Sequence, residues 1–281
     1  MAAWIQGLCG QELGECGENL WYGGNVKPYF ETELGKLYHG DCLDVLQGVE
    51  NNSIDLIITD PPFRINSVAP ATGYYKRREA QFSKLNEAGA NLNFSIFPYL
   101  ECFKKKMKKF VGYFWTSKGL LPEYFEFIKR NKYLFNVLIW EKINAPPMIR
   151  KNFHPNIEYL IYIKEPKSEM FNSNLPFEYY SKVFKSSAMK MTYHPCEKPY
   201  RAIYPYILIS SMPGDLILDP FSGSGTGYIS AEVAGRRWIA IEKIEEYCRG
   251  SVQKFKKDSF LPSLNFQQKK LQFSNSRRQC D

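Results

Sequence analysis

The chain predicts an α/β fold in which helices cover a parallel sheet, and three observations carry that expectation. Ile54 to Thr59 is an apolar run flanked by Asp55 and Asp60, the pattern of a strand buried on both faces. Beyond Phe94, helix-period and strand-like segments alternate, as parallel sheets require. Gly214 to Thr226 reads GDLILDPFSGSGT, which sets an acid and a glycine-rich turn between an apolar strand and a helix.

Taken in order, residues 1–34 read as an irregular N-terminal arm, glycine-rich at first, with Gly23-Gly24-Asn25 as a turn signal. Lys36 to His39 predicts a strand, Gly40-Asp41 a turn and Cys42 to Val49 a short helix. Residues 64–93 form a polar stretch too long for an ordinary connection, the length of a lid or binding loop. Phe94 to Lys109 predicts an amphipathic helix, Val111 to Thr116 a strand, Pro122 to Asn131 a helix, and Leu134 to Trp140 and Ile157 to Ile163 two further strands. Residues 142–156 and 165–193 interrupt the alternation and are the expected target-contacting insertions. Tyr200 to Ser211 then predicts a helix, Leu216 to Leu218 a strand, Thr226 to Ala234 a helix, Trp238 to Ile241 a strand and Ile244 to Lys256 a helix. Residues 35–260 thus form the expected domain and 261–281 a basic tail.

Lys and Arg outnumber Asp and Glu by 37 to 29, giving a formal charge of +8 that favours polyanionic partners. The seven cysteines are scattered, odd in number and never in a C-x-x-C pair, so neither a disulfide framework nor a metal site is expected. There is no basic stretch followed by an apolar segment at the start, and no apolar run of about 18 residues, so the expectation is a cytoplasmic protein without a membrane partner.

The glycine-rich turn admits two readings. Gly223 and Gly225 can adopt positive φ and let the backbone approach a ligand at the sheet's carboxyl edge, or they make only a tight connection. Glu242 follows the next apolar strand, about twenty residues beyond the turn, where a carboxylate accepts hydrogen bonds from ribose hydroxyls or caps the next helix. No lysine of the Walker kind follows the glycines, which argues against a triphosphate.

Asp60-Pro61-Pro62-Phe63 ends the buried run with an acid, two prolines and an aromatic ring. Prolines stop sheet pairing and hold the carbonyls of Asp60 and Pro61 within a narrow range of directions. The segment is either a strand terminator with a packed Phe63 or a rigid array of acceptors. An exocyclic amine needs such an array, because its lone pair is delocalised into the ring and its two N–H groups must be oriented before nitrogen attacks a methyl group. Phe63 would stack on a base drawn out of its duplex.

Gly40-Asp41 with the helix from Cys42, DLIITDPPF, HPCEKP at His194 to Pro199, LDPFSGSGT and Glu242 together resemble the amino-methyltransferases of DNA, in the order that sets the catalytic motif before the cofactor motif. The resemblance spans Lys36 to about Lys256. It implies a Rossmann-like, doubly wound, mostly parallel sheet with an antiparallel strand near one edge, S-adenosylmethionine as cofactor, and a flipped base facing Asp60. It assigns Asp219, Phe221, Ser222, Gly223, Gly225 and Thr226 to the cofactor pocket, Glu242 to the ribose and Asp41 to the cofactor's adenine. His194 and Lys198 border the methionine end; the family usually has Thr-Gln where this chain has Cys196-Glu197. An acid before the two prolines resembles the adenine-N6 enzymes, whereas serine there accompanies cytosine N4.

The expected partner is double-stranded DNA, with a homodimer as one arrangement of the protein. Arg64, Lys76, Arg77 and Arg78, interleaved with Tyr74 and Tyr75, are candidates for holding a strand around a displaced base, and Arg150, Lys151 and His154 form a further group. Lys104, Lys105, Lys106, Lys108 and Lys109 read either as phosphate contacts or as a solvated helix end. A cytosine-N4 enzyme and a silent nucleic-acid-binding module of the same fold are the rival expectations.

Overall fold

In the computed structural model, which describes residues 27–62, 94–145, 153–168, 171–188 and 193–257, the apolar run after Asp55 forms strand β3, Leu56–Thr59, with all four residues buried. Before it come β1 (Phe30–Glu31), β2 (Gly35–His39) and helix α1 (Cys42–Gln47). After it come α2 (Phe97–Lys106), β4 (Val111–Thr116), α3 (Leu121–Asn131), β5 (Leu134–Lys142), β6 (Ile157–Lys164) and β7 (Val183–Ser186). The chain then continues through α4 (Tyr204–Ser210), β8 (Leu216–Asp219), α5 (Thr226–Val233), β9 (Arg237–Glu242) and α6 (Glu245–Lys256).

Among the described residues these strands form one sheet in the order β1-β2-β9-β8-β3-β4-β6-β5-β7. Strands β2, β9, β8, β3 and β4 run parallel to one another, and β6 lies antiparallel between β4 and β5. This is the mostly parallel sheet with an antiparallel strand towards one edge. Helix α5 packs on β8 and β9, α6 on β2 and β9, and α1 on β9. The strand order reverses between β3 and β8, and a crevice at the carboxyl ends of two such neighbours is the ordinary ligand site of an open α/β sheet.

Prolines decide where three helices start. A proline is tolerated in the first turn, where its missing N–H has no intrahelical partner. Pro98 therefore starts α2 at Phe97 rather than at Phe94. Pro122 begins α3, which buries Tyr124, Phe127 and Ile128 at the i, i+3, i+4 spacing of one helical face. Pro205 breaks the expected helix from Tyr200 into a short 3-10 turn, Tyr200–Ala202, and α4.

Two strands depart from the expectation. β1 falls within the stretch read as irregular and pairs antiparallel with β2. β7 falls within 165–193 and adds an edge alongside β5. Its residues alternate between exposed and half-buried, so it carries no apolar run by which to recognise it.

Four of the five lysines around the end of α2 make contacts within the protein. Lys104 donates to Asn131 Oδ1 at 2.6 Å, buried Lys106 to the Val49 carbonyl at 2.7 Å and Lys109 to the Lys167 carbonyl at 3.0 Å. Lys108 pairs with Asp55 at 2.8 Å.

Candidate active site

A pocket opens where β3 and β8 end, and Asp60 and Asp219 mark those two strand tips. Its lining contains Asp41, Asp60, Pro61, Pro62, His194, Lys198, Asp219, Phe221, Ser222, Gly223, Thr226 and Glu242, all expected from the sequence. Gly225 lies directly behind, as the N-cap of α5 with φ of 76°. Phe63, Arg64, Lys76, Arg77, Arg78, Arg150 and Lys151 lie outside the described residues.

The glycine-rich turn is shaped by two close approaches. Gly223 has φ of +47°, and a Cβ there would fall 2.8 Å from His194 Nε2. A Cβ at Gly227 would fall 2.0 Å from Asp219 Oδ2, so the first turn of α5 closes on that carboxylate only without a side chain. The Gly223 amide donates to Glu242 Oε2 and the Ile244 amide to Oε1, each at 2.8 Å. Glu242 thus bridges the turn and the start of α6, and each oxygen keeps a lone pair for a further donor.

Among the described residues, four carboxylates line this pocket. Burial is the main cause that lifts Asp60 to about 6 and Asp219 and Glu242 to about 7. Thr59 Oγ1 donates to Asp219 Oδ1 at 2.9 Å and moderates the rise there. Asp41 caps α1 through the Leu43 amide at 3.0 Å and pairs with Lys243 at 3.1 Å. His194 goes the other way: burial, then Lys198 and Lys254, lower it to about 3, so the ring is neutral. Its Nδ1 accepts from the Cys196 amide at 3.2 Å, which leaves the proton on Nε2, facing Gly223.

Lys198, expected to border the methionine end, lines the pocket beside Asp60. Its ammonium contacts Asp60 Oδ2 and lies 3.2 Å from Glu158 Oε2. Asp60 Oδ1 is buried and accepts no hydrogen bond among the described residues. Thr226 likewise uses its hydroxyl within the protein: it donates to the Lys198 carbonyl at 3.1 Å and accepts from Lys254 at 2.8 Å. Glu197, at one of the two positions that depart from the family pattern, pairs with Lys254 at 2.7 Å.

An aromatic wall is the part that sequence reasoning missed. Tyr99 packs against Phe94 at 5.5 Å and Phe221 at 5.1 Å between ring centroids. Phe221 was expected in the pocket; Phe94 and Tyr99 read only as the apolar face of a helix.

S-adenosylmethionine suits these surroundings. The aromatic wall offers a face for a purine, Glu242 an acceptor for ribose hydroxyls, and the carboxylates a negative field for a sulfonium. Ser222 Oγ, buried without a hydrogen bond among the described residues, is a further polar group for such a ligand.

The N6/N4 DNA methylase model matches residues 54–254, which takes in both β3 with its Asp-Pro-Pro tip and the glycine-rich turn. This chain belongs to that DNA methylase family. The methylase is 27% identical over 271 residues to the type II methyltransferase M2.MboI of Moraxella bovis, covering 87% of this chain and 96% of that one. Its fold is similar to that of the cytosine-N4-specific PvuII DNA methyltransferase, with a TM-score of 0.62 and 20% identity over 85% of this chain and 93% of the other. It also resembles the complex of M1.HpyAVI with S-adenosylmethionine, at a TM-score of 0.58 and 22% identity over 78% of this chain and 99% of the other. The protein is a DNA methyltransferase of the N6/N4 family that uses S-adenosylmethionine. No helix among the described residues is long and apolar enough to cross a membrane.

Proposed function

We propose that the methylase transfers the methyl group to N6 of an adenine turned out of double-stranded DNA, with Asp60 as the acceptor that orients the amine. The observation that carries this reading is the Asp60 carboxylate itself. One oxygen is held by Lys198, and the other is buried at the pocket without a hydrogen bond among the described residues.

Bound S-adenosylmethionine supplies an electrophilic methyl group. Asp60 Oδ1 accepts one N–H of the base, and a carbonyl of the Asp-Pro-Pro segment accepts the other. With both N–H groups held, the nitrogen lone pair leaves the ring plane and points along the line of attack. Positioning of this kind contributes several kcal/mol, about 7 to 11 at best. The methyl group would pass to this nitrogen as its bond to the cofactor's sulfur breaks, and the amine would give up one proton to Asp60 Oδ1. Phe221, Glu242 and the glycine-rich turn hold the cofactor in this reading, His194 packs over Gly223 beside it, and Phe63 stacks on the base.

Adenine is favoured because the residue before the two prolines is an acid, as in the adenine enzymes that this segment resembles. The second reading is cytosine N4, which the likeness to the PvuII enzyme supports. Incubation with labelled S-adenosylmethionine and unmodified duplex DNA, followed by digestion to nucleosides, separates the two. The proposal expects label in N6-methyladenine; label in N4-methylcytosine would replace it with the second reading.

A further inference from the structure

Asp60 is one end of a chain of four charges that leads away from the pocket. Lys198 lies between Asp60 Oδ2 and Glu158 Oε2, and Glu158 Oε1 pairs with Lys142. The Lys142 ammonium stands 5.0 Å from the centroid of the Trp140 ring, and the Lys198 ammonium stands 5.3 Å from that of Trp115. Two anions and two cations alternate, so the chain as a whole is neutral, which is the condition for keeping charges this far from water. The Lys198 side chain is 4% exposed, and those of Asp60 and Glu158 are each 20% exposed. Lys142 and Glu158 sit on the antiparallel strands β5 and β6, while Lys198 comes from the segment ahead of α4.

We propose that Lys198, Glu158 and Lys142 form a clamp in which the two lysines keep the Asp60 carboxylate negative and Glu158, acting through Lys198 as a positioning residue, fixes its orientation. The inference rests on the reading of Asp60 as the amine acceptor. A carboxylate with one oxygen gripped presents the other in a fixed direction. A carboxyl that took up a proton would offer the amine a donor instead of an acceptor. The danger is real at this site, because burial and neighbouring anions favour the protonated form.

Among the described residues, the groups that face Asp60 are Lys198, Glu158 from β6, Lys142 from β5, Asp219 from β8 and Tyr124 from α3. Lys198 and Lys142 favour the ionised carboxylate and Glu158 opposes it. The clamp therefore predicts opposite effects from neighbouring substitutions. Lys198→Met removes a cation and moves the acid limb of the methyl-transfer rate to higher pH. Glu158→Gln removes an anion while keeping the side-chain shape, and moves that limb to lower pH. A purely structural role would lower the rate at every pH and leave the limb in place.

The test is the single-turnover rate of methyl transfer from labelled S-adenosylmethionine to unmodified duplex DNA, measured from about pH 5 to about pH 9. Cofactor affinity and melting temperature are read on each variant. The expected result is a displacement of about one pH unit in each direction, roughly tenfold in rate on the acid side. Should Lys198→Met fail to fold, Glu158→Gln alone decides the matter. A folded Glu158→Gln whose limb coincides with that of the unsubstituted protein overturns the clamp. Asp60→Ala in the same assay separates the two claims. An inactive Asp60→Ala beside an unmoved limb removes the clamp alone, whereas an active one removes the acceptor role and the clamp with it.

Discussion

His194 Nε2 occupies the space into which a side chain at position 223 would grow: a Cβ built on Gly223 falls 2.8 Å from it, on a backbone with φ of +47°. The neutral imidazole is held there by the Cys196 amide on Nδ1 and by the edge of Tyr247, whose ring centroid is 4.6 Å away. The turn, the His194 segment and α6 are thereby packed against one another at the pocket. Gly223→Ala meets both the left-handed backbone, at a cost of about 1–2 kcal/mol, and the imidazole. It is expected to weaken S-adenosylmethionine binding at least roughly tenfold, by calorimetry, and Gly223→Ala with His194→Ala is expected to recover part of that loss. Unchanged affinity in Gly223→Ala would contradict this packing.

The Glu197–Lys254 pair is expected to matter for stability more than for chemistry. Glu197 is 4% and Lys254 16% exposed at the side chain, and Lys254 also reaches the Thr226 hydroxyl. Glu197→Ala leaves a buried ammonium without its counter-charge, a change that costs about 3–5 kcal/mol in such pairs. Thermal melting should show a large drop for Glu197→Ala and a much smaller one for Glu197→Gln with Lys254→Met. Equal drops would mean that the pair acts through shape rather than charge.

Cofactor binding should strengthen with pH. Glu242 and Asp219 are lifted by burial to about 7, so both pass from protonated to ionised as pH climbs through neutrality. A sulfonium favours the ionised forms, and by linkage its binding expels protons and tightens as pH rises. For one such group the gain is roughly tenfold between about pH 6 and about pH 8. Titration calorimetry in buffers of different ionisation enthalpy measures both quantities, and Glu242→Gln should flatten the rise. Affinity that falls with pH would contradict the assignment of these carboxylates to the pocket.

What the sequence made legible follows from how locally each feature is encoded. β3, β4 and β8 lie in the middle of the sheet, and their continuous apolar runs are visible in a window of a few residues. The Asp-Pro-Pro tip and the glycine-rich turn are equally local, because proline and glycine impose their backbone constraints wherever they stand. The grip of Lys198 on Asp60 joins residues 138 positions apart, and no periodicity announces such a contact. Glu158 left one faint signal, an acid inside the apolar strand that begins at Ile157. Phe94 and Tyr99 left none, since a ring that lines a pocket and a ring that fills a core look alike until the helix is docked.

The most direct test of the central claim is Asp60→Ala in single-turnover methyl transfer to duplex DNA, paired with a measurement of S-adenosylmethionine affinity. If the Asp60 carboxylate orients the amine, the rate falls roughly 10²- to 10³-fold, as when a preorganised hydrogen-bonding group is deleted from an active site, and cofactor affinity stays near that of the unsubstituted protein. A near-normal rate in Asp60→Ala would contradict the account.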